Sequence, residues 1–223
     1  MEHSKIPVYF VPGMAAGKEI FKNIKLPEDR YEMQVIEWLI PEKGESMPHY
    51  AKRMAAYVTQ PEAVLVGVSF GGVVVQEMAA FLTLRKVIII SSVKSQAELP
   101  GRLHFARKTK AYKLLPTGWM LNADDLTKFA VGPRSKKRLS LYQQFLHVRN
   151  KQYLDWAIAH MVNWPRTEID EEVVHIHGDE DLIFPFKNIT KKEDCFVLEG
   201  GTHIMLLNKG AEVTKTLRQI IGA

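Results

Sequence analysis

A single cysteine, Cys195, stands among 223 residues, so no intrachain disulfide can form and the multi-cysteine zinc frameworks are excluded. It lies in the apolar run Cys195-Phe196-Val197-Leu198, where a thiol reads as a small buried hydrophobe rather than a nucleophile. Long hydrophobic runs are missing as well. No apolar stretch reaches the roughly 20 residues that span a bilayer, which argues against stable membrane insertion. The opening residues, Met1-Glu2-His3-Ser4-Lys5, lack the apolar segment of a secretory signal, so a cytoplasmic location is the expectation. Repeats, low-complexity tracts and linkers are also absent, and the length suits one domain better than two.

Charge of one sign is in excess, but modestly and locally. The net charge is +5. Between Arg102 and Arg138 ten Lys/Arg face only Asp124 and Asp125. Such a stretch attracts anionic partners, although it is more often a solvated helical face. No nucleic-acid-binding motif accompanies it, so no nucleic-acid partner is expected.

What is present is an alternation of short apolar runs with helical periodicities. Strands are predicted at 7–11, 33–39, 63–66, 87–90, 173–176 and 194–198, most of them apolar throughout, as parallel central strands are. Helices are predicted at 18–24, 47–59 (with Ser46 as N-cap), 71–84 and 211–221. The order implies an α/β fold, a mostly parallel sheet with helices on both faces. Between about 95 and 165 no strand is evident, only helical spacings broken at Pro100-Gly101, Pro116-Thr117-Gly118 and Gly132-Pro133. This segment is read as a helical cap inserted within a single domain of residues 1–223.

The chemistry begins at Gly67-Val68-Ser69-Phe70-Gly71, a G-x-S-x-G pattern. By composition alone it occurs by chance in roughly one chain of this length in twenty, so its context decides. Ser69 follows a buried strand and precedes a helix, the strand-turn-helix elbow that such a serine needs. The flanking glycines remove side chains that would collide at so sharp a turn. The turn aims the Phe70 amide and the positive helix end at a developing oxyanion. A Gly-rich turn with a spectator serine is the competing interpretation.

A serine hydroxyl requires a general base. Among eight histidines, His203 in Gly201-Thr202-His203 is best placed, between the last strand and last helix, at the same sheet edge as Ser69. His175 and His177 alternate on one strand. They form an H-x-H pair without an evident third ligand, so strand packing is preferred over a metal. The imidazole needs a carboxylate to fix its tautomer. The turn Gly178-Asp179-Glu180-Asp181 offers three, with Asp181 preferred and Asp179 the alternative.

Together these residues make the chain resemble the α/β-hydrolase superfamily, in particular its small single-domain esterase-like members, over about residues 7 to 222. The elbow Gly67-Val68-Ser69-Phe70-Gly71-Gly72, the acid turn Gly178-Asp179-Glu180-Asp181 with Pro185, and Gly201-Thr202-His203 carry the resemblance. It implies a Ser69, Asp181, His203 triad, because the family's aspartate stands three after the glycine and four before the proline. Val11-Pro12-Gly13-Met14 is similar to the family's first oxyanion loop, with Pro12 in place of a histidine. The resemblance therefore assigns the Met14 amide to the oxyanion hole beside that of Phe70. The chain begins almost at the oxyanion strand, so the sheet is expected to lack the N-terminal strands of fuller members.

The resemblance implies a carboxylesterase acting on a small-molecule acyl substrate through an acyl-enzyme, without cofactor or metal. Trp119, Phe129, Tyr142, Phe145, Trp156 and Met161 are candidate pocket-lining residues from the cap, each competing with a role in helix packing. The basic stretch permits a thioester of an anionic carrier as the alternative substrate. Lyases, perhydrolases and binding proteins also use this fold. The sequence sets no oligomeric state.

Overall fold

The computed structural model describes residues 5–114 and 148–222. Six parallel strands form one sheet: β1 (Ile6–Val11), β2 (Tyr31–Val35), β3 (Ala63–Val68), β4 (Leu84–Ile90), β5 (Val173–Gly178) and β6 (Cys195–Leu198), in the order β2-β1-β3-β4-β5-β6. Strand-to-strand alternation explains why they are apolar on both sides. Tyr9, Leu65 and Ile89 enter one core, while Val8, Phe10, Val64, Val66, Ile88 and Ile90 enter the other.

Helices α1 (Met47–Ala55), α2 (Phe70–Met78), α3 (Gly101–Thr109) and α4 (Lys151–Val162) contribute to the first core. The second is covered by a 3₁₀ turn at Lys18–Phe21, by α5 (Met205–Asn208) and by α6 (Gly210–Gly222). In α6, Val213, Leu217, Ile220 and Ile221 recur at helical spacing and are buried, while Glu212, Lys215, Arg218 and Gln219 face solvent. Ser46 caps α1 by accepting the His49 amide, with Pro48 in the first turn.

The boundaries depart from the sequence expectation in several places. The predicted helix 71–84 stops at Met78; a 3₁₀ turn over Ala79–Phe81 follows, and Leu84 already belongs to β4. Helical periodicity does not register that the chain must unwind to re-enter the sheet. The strand predicted at 33–39 begins at Tyr31 and ends at Val35; the Ile36 amide still donates to the Phe10 carbonyl (2.9 Å), and the side chains of Ile36 and Trp38 pack into the first core. The helices predicted at 47–59 and 18–24 shorten to Met47–Ala55 and to the 3₁₀ turn. Within 95–165, the described parts hold α3 and α4 and no strand. Among the described residues no helix is long and apolar enough to cross a membrane.

The strand order reverses beside β1. From β1 the chain moves outward to β2, then returns to place β3 on the other side. The connections after β1 and after β3 leave toward opposite faces, opening a crevice at the carboxyl ends of these two strands, where ligands of open α/β sheets bind. Ser69 and the loop of residues 12–16 both lie there.

Candidate active site

Ser69 sits between β3 and α2 with φ 54° and ψ −120°, backbone angles that cost an L-residue on the order of 1–3 kcal/mol. Its surroundings leave it no alternative. The Ser69 amide donates to the Ile90 carbonyl (2.9 Å), and the Ser69 carbonyl accepts from the Gly72 amide (2.9 Å) and from Ser92 Oγ (2.7 Å). The glycines explain themselves by what a Cβ would strike. At Gly67 it would meet the Gly71 carbonyl, at Gly71 the Pro12 carbonyl, and at Gly72 the Ser92 hydroxyl.

The imidazole comes from the loop after β6. His203 Nε2 lies 2.9 Å from Ser69 Oγ, and its Nδ1 lies 2.8 Å from Asp181 Oδ2. Hydroxyl, imidazole and carboxylate therefore stand in series across 134 residues of sequence separation. Asp181, not Asp179, is the acid brought to His203. Two backbone contacts lock its turn to the histidine loop: the Glu180 amide donates to the Gly201 carbonyl (2.9 Å), and Gly178 is so close to Gly201 that a Cβ has no room.

Asp181 is buried, and its other oxygen, Oδ1, accepts the amides of Ile183 (2.7 Å) and Phe184 (2.9 Å). Burial alone would raise its pKa, but His203, His177 and the Phe184 amide together outweigh this and hold the carboxyl below its ordinary range. It stays ionised, facing the imidazole. Such a series can take the proton from a serine hydroxyl and stabilise the resulting imidazolium.

Met14 lies in the loop after β1, half-buried against the first core. The loop carries Ala15 at φ 62° and is gripped by two aromatic residues. Trp38 Nε1 donates to the Gly13 carbonyl (3.0 Å), and the Ala15 amide points to the Tyr153 hydroxyl (3.5 Å). The Trp38 ring also packs on Phe70 (centroids 5.6 Å apart) and on Tyr153 (5.4 Å), so one aromatic cluster supports both the elbow and the loop.

Of the expected pocket residues, Trp119, Phe129, Tyr142 and Phe145 lie outside the described residues. Trp156 and Met161 lie on α4 in the first core. Trp156 packs on Tyr50 and meets Phe70 edge-on, and its Nε1 donates to the Glu45 carbonyl (2.7 Å). That places Trp156 behind the elbow, in the packing that Phe70 rests on.

Three contributors escaped the sequence reading: Ser92, Trp38 and Tyr153. Ser92 had one available signal, a hydroxyl at the end of β4 beside the elbow, whereas the two aromatics gave none. A possible metal-ligating cluster, Glu42, Glu45 and His49, also occurs among the described residues. Glu45 Oε2 there already accepts Arg53 Nη1 (2.7 Å) and its Oε1 contacts His49 Nδ1 (2.6 Å), so a guanidinium occupies the carboxylate. The cluster is an ion pair joining α1 to the turn before it.

The fold recurs widely among known structures. This chain is similar to a hydrolase from Pseudomonas aeruginosa PA01, with 12% identity, 98% of this chain and 91% of the other covered, and a TM-score of 0.72. A thermophilic esterase from Thermogutta terrifontis shares 16% identity over 98% and 90% of the two chains, with a TM-score of 0.67. A bromoperoxidase from Bacillus anthracis shares 15% over 100% and 94%, with a TM-score of 0.70. At these identities the likeness shows the fold alone. No curated protein matches by sequence. The sequence profile of the Alpha/beta hydrolase family, however, matches residues 37–216, which is most of the chain and includes all three residues of the series. The chain therefore belongs to the alpha/beta hydrolase family.

Proposed function

We propose that this protein is a serine hydrolase that cleaves a carboxylic ester of a small or medium acyl substrate through an acyl-enzyme intermediate. The observation that carries the reading is the unbroken Ser69 Oγ, His203 and Asp181 series, with contacts of 2.9 and 2.8 Å. Ser69 attacks the acyl carbonyl as His203 Nε2 takes its proton, and Asp181 stabilises the imidazolium. The amides of Phe70 and Met14 receive the oxyanion, the N-terminus of α2 adding its positive end. His203 then protonates the leaving alcohol. Water, deprotonated by the same nitrogen, frees the acid and restores Ser69. The reaction as drawn uses no cofactor or metal.

A thioester of an anionic carrier is the second reading. It is favoured by the surface cations Arg102, Lys108, Lys110 and Lys113 on and after α3, of which Arg102 reaches the acid turn itself. Turnover of short p-nitrophenyl esters against acyl-coenzyme A, at low and high salt, separates the two. Serine dependence is tested by a fluorophosphonate probe: Ser69 becomes phosphonylated, and Ser69→Ala abolishes labelling and lowers turnover by about 10³- to 10⁶-fold. Folded wild-type protein whose Ser69 stays unmodified overturns the reading.

A further inference from the structure

Behind Asp181 lies a second pair of imidazoles for which the reaction above has no use. His175 and His177 lie on the same face of β5, both fully or nearly fully buried. They are joined by a contact of 3.0 Å between His175 Nε2 and His177 Nδ1, with their rings edge to face. His177 Nε2 lies 2.8 Å from the Phe184 carbonyl and 3.6 Å from Asp181 Oδ2, the oxygen that His203 Nδ1 also binds. No metal geometry fits this arrangement, because the two nitrogens that face each other would have to face a common ion.

The hydrogen bonds fix the tautomers. A carbonyl can only accept, so the proton of His177 is on Nε2 and its Nδ1 is bare. The bare Nδ1 must then accept from His175 Nε2–H, which leaves His175 Nδ1 without a proton. That nitrogen is buried and, among the described residues, makes no hydrogen bond of normal geometry, although the ring also has a backbone contact at Ser92. Burial, together with His177 and Lys94, keeps His175 neutral by pushing its pKa well below the usual value. Burial likewise lowers that of His177, against the pull of Asp181 and Glu98 and with the help of His203. These are the charged and titratable groups facing the pair from the acid turn, the histidine loop and the segments flanking β4 and α3. Cys195 lies opposite His175 on β6, its thiol pushed up to about 12 by burial and so uncharged.

We propose that His177 is a positioning residue for the proposed triad: its Nε2–H holds the acid turn through the Phe184 carbonyl and lies 3.6 Å from the Oδ2 that His203 binds, while His175 donates to its Nδ1. The inference rests on the serine-hydrolase reading for its kinetic consequence, and on geometry alone for the tautomer. A donor beside Oδ2 withdraws charge from the carboxylate. Its loss leaves a more basic Asp181 that favours imidazolium, so the acid limb of the pH–rate profile moves upward. It also frees the turn to shift, and a displacement of catalytic groups by about 1 Å can cost up to about a hundredfold.

The test compares His177→Phe, His177→Gln and His175→Phe. Phenylalanine keeps the ring that stacks on Phe186 and loses the donor, while glutamine loses the ring and keeps an N–H near the Nε2 position. The expected result is that His177→Phe slows fluorophosphonate labelling about tenfold and moves its acid limb up by about half to one pH unit, with glutamine restoring both. A merely structural role predicts the reverse order of the two variants, and that order overturns the proposal. ¹⁵N spectra of the imidazoles give an arm independent of activity. Wild-type His177 is neutral and protonated on Nε2 near neutral pH; His175→Phe keeps this form, because the Phe184 carbonyl still requires it, while the bare Nδ1 loses its donor and its resonance shifts. A wild-type His177 protonated on Nδ1, or charged at neutral pH, overturns the proposal. Unlabelled wild-type Ser69 would instead overturn the hydrolase reading and leave the spectra to decide the tautomer.

Discussion

Asp181 is surrounded by two imidazoles and two backbone amides, and that crowding affects stability as well as orientation. Its folded pKa lies below the unfolded value of about 3.9, so its contribution is complete above that pH and is lost as pH falls through the folded value. Asp181→Asn should therefore be less stable than wild type by an amount that is constant near neutrality and narrows below about pH 4, as urea unfolding at a series of pH values would show. Under the proposed chemistry the same variant also loses about 10⁴-fold in turnover, because the asparagine amide no longer holds the imidazole in the productive tautomer. Gly72→Ala acts differently. Its Cβ would meet the Ser92 hydroxyl that braces Ser69, so melting temperature and turnover should fall together, at a cost of about 1–3 kcal/mol. At this scale Ser69, Asp181 and His203 were readable because their chemistry demands particular neighbours: glycines around the serine, a glycine and a proline around the acid. Ser92, Trp38 and Tyr153 were not. Each acts through a hydrogen bond to another segment, Trp38 through ring packing as well, and such a residue looks the same in sequence wherever its polar atom ends up.

Strands were legible as elements because two-sided burial leaves a continuous apolar run, whereas their ends were not. Past Val35 the chain gives the side chains of Ile36 and Trp38 to the first core, a demand that arises in three dimensions. The acid turn shows how elements cooperate. Its amides at 183 and 184 point to Asp181, while its carbonyls at Leu182 and Ile183 accept from Arg102 of α3 (3.3 and 2.6 Å) and that at Phe184 faces His177. Arg102 thus links α3 to the acid turn. Replacing it with alanine should lower turnover of an uncharged ester several-fold with little change in melting, since a surface contact contributes little to global stability. An unchanged rate would show the turn to be held by His177 and the amides alone. On the opposite face, α6 is an amphipathic lid over the second core, and Leu217 is fully buried there. Leu217→Ala should cost about 2–5 kcal/mol in chemical denaturation without altering the proposed active-site chemistry.

At the scale of the molecule, the exposed cations Arg102, Lys108, Lys110 and Lys113 gather on and after α3, beside the acid turn. A field of this kind governs encounter rather than turnover, and salt screens it over about 8–10 Å. If the substrate carries phosphates or carboxylates, its kcat/KM should fall steeply with ionic strength while that of a neutral ester stays level. The α/β class was legible from the order of strands and helices. The position of the crevice was not, because the reversal beside β1 is a property of strand order in space, and sequence lists strands only in time.

The loop after β1 is tethered to the segment that leads into α4 and to α4 itself. Tyr153 of α4 reaches the Ala15 amide, and the Val148 amide donates to the Ala15 carbonyl (3.0 Å), so both polar groups of one left-handed residue belong to the inserted segment. Removing that segment would cut both tethers of Ala15, the neighbour of Met14. Under the proposed chemistry, the shortened protein should react with a fluorophosphonate probe more slowly than the intact chain.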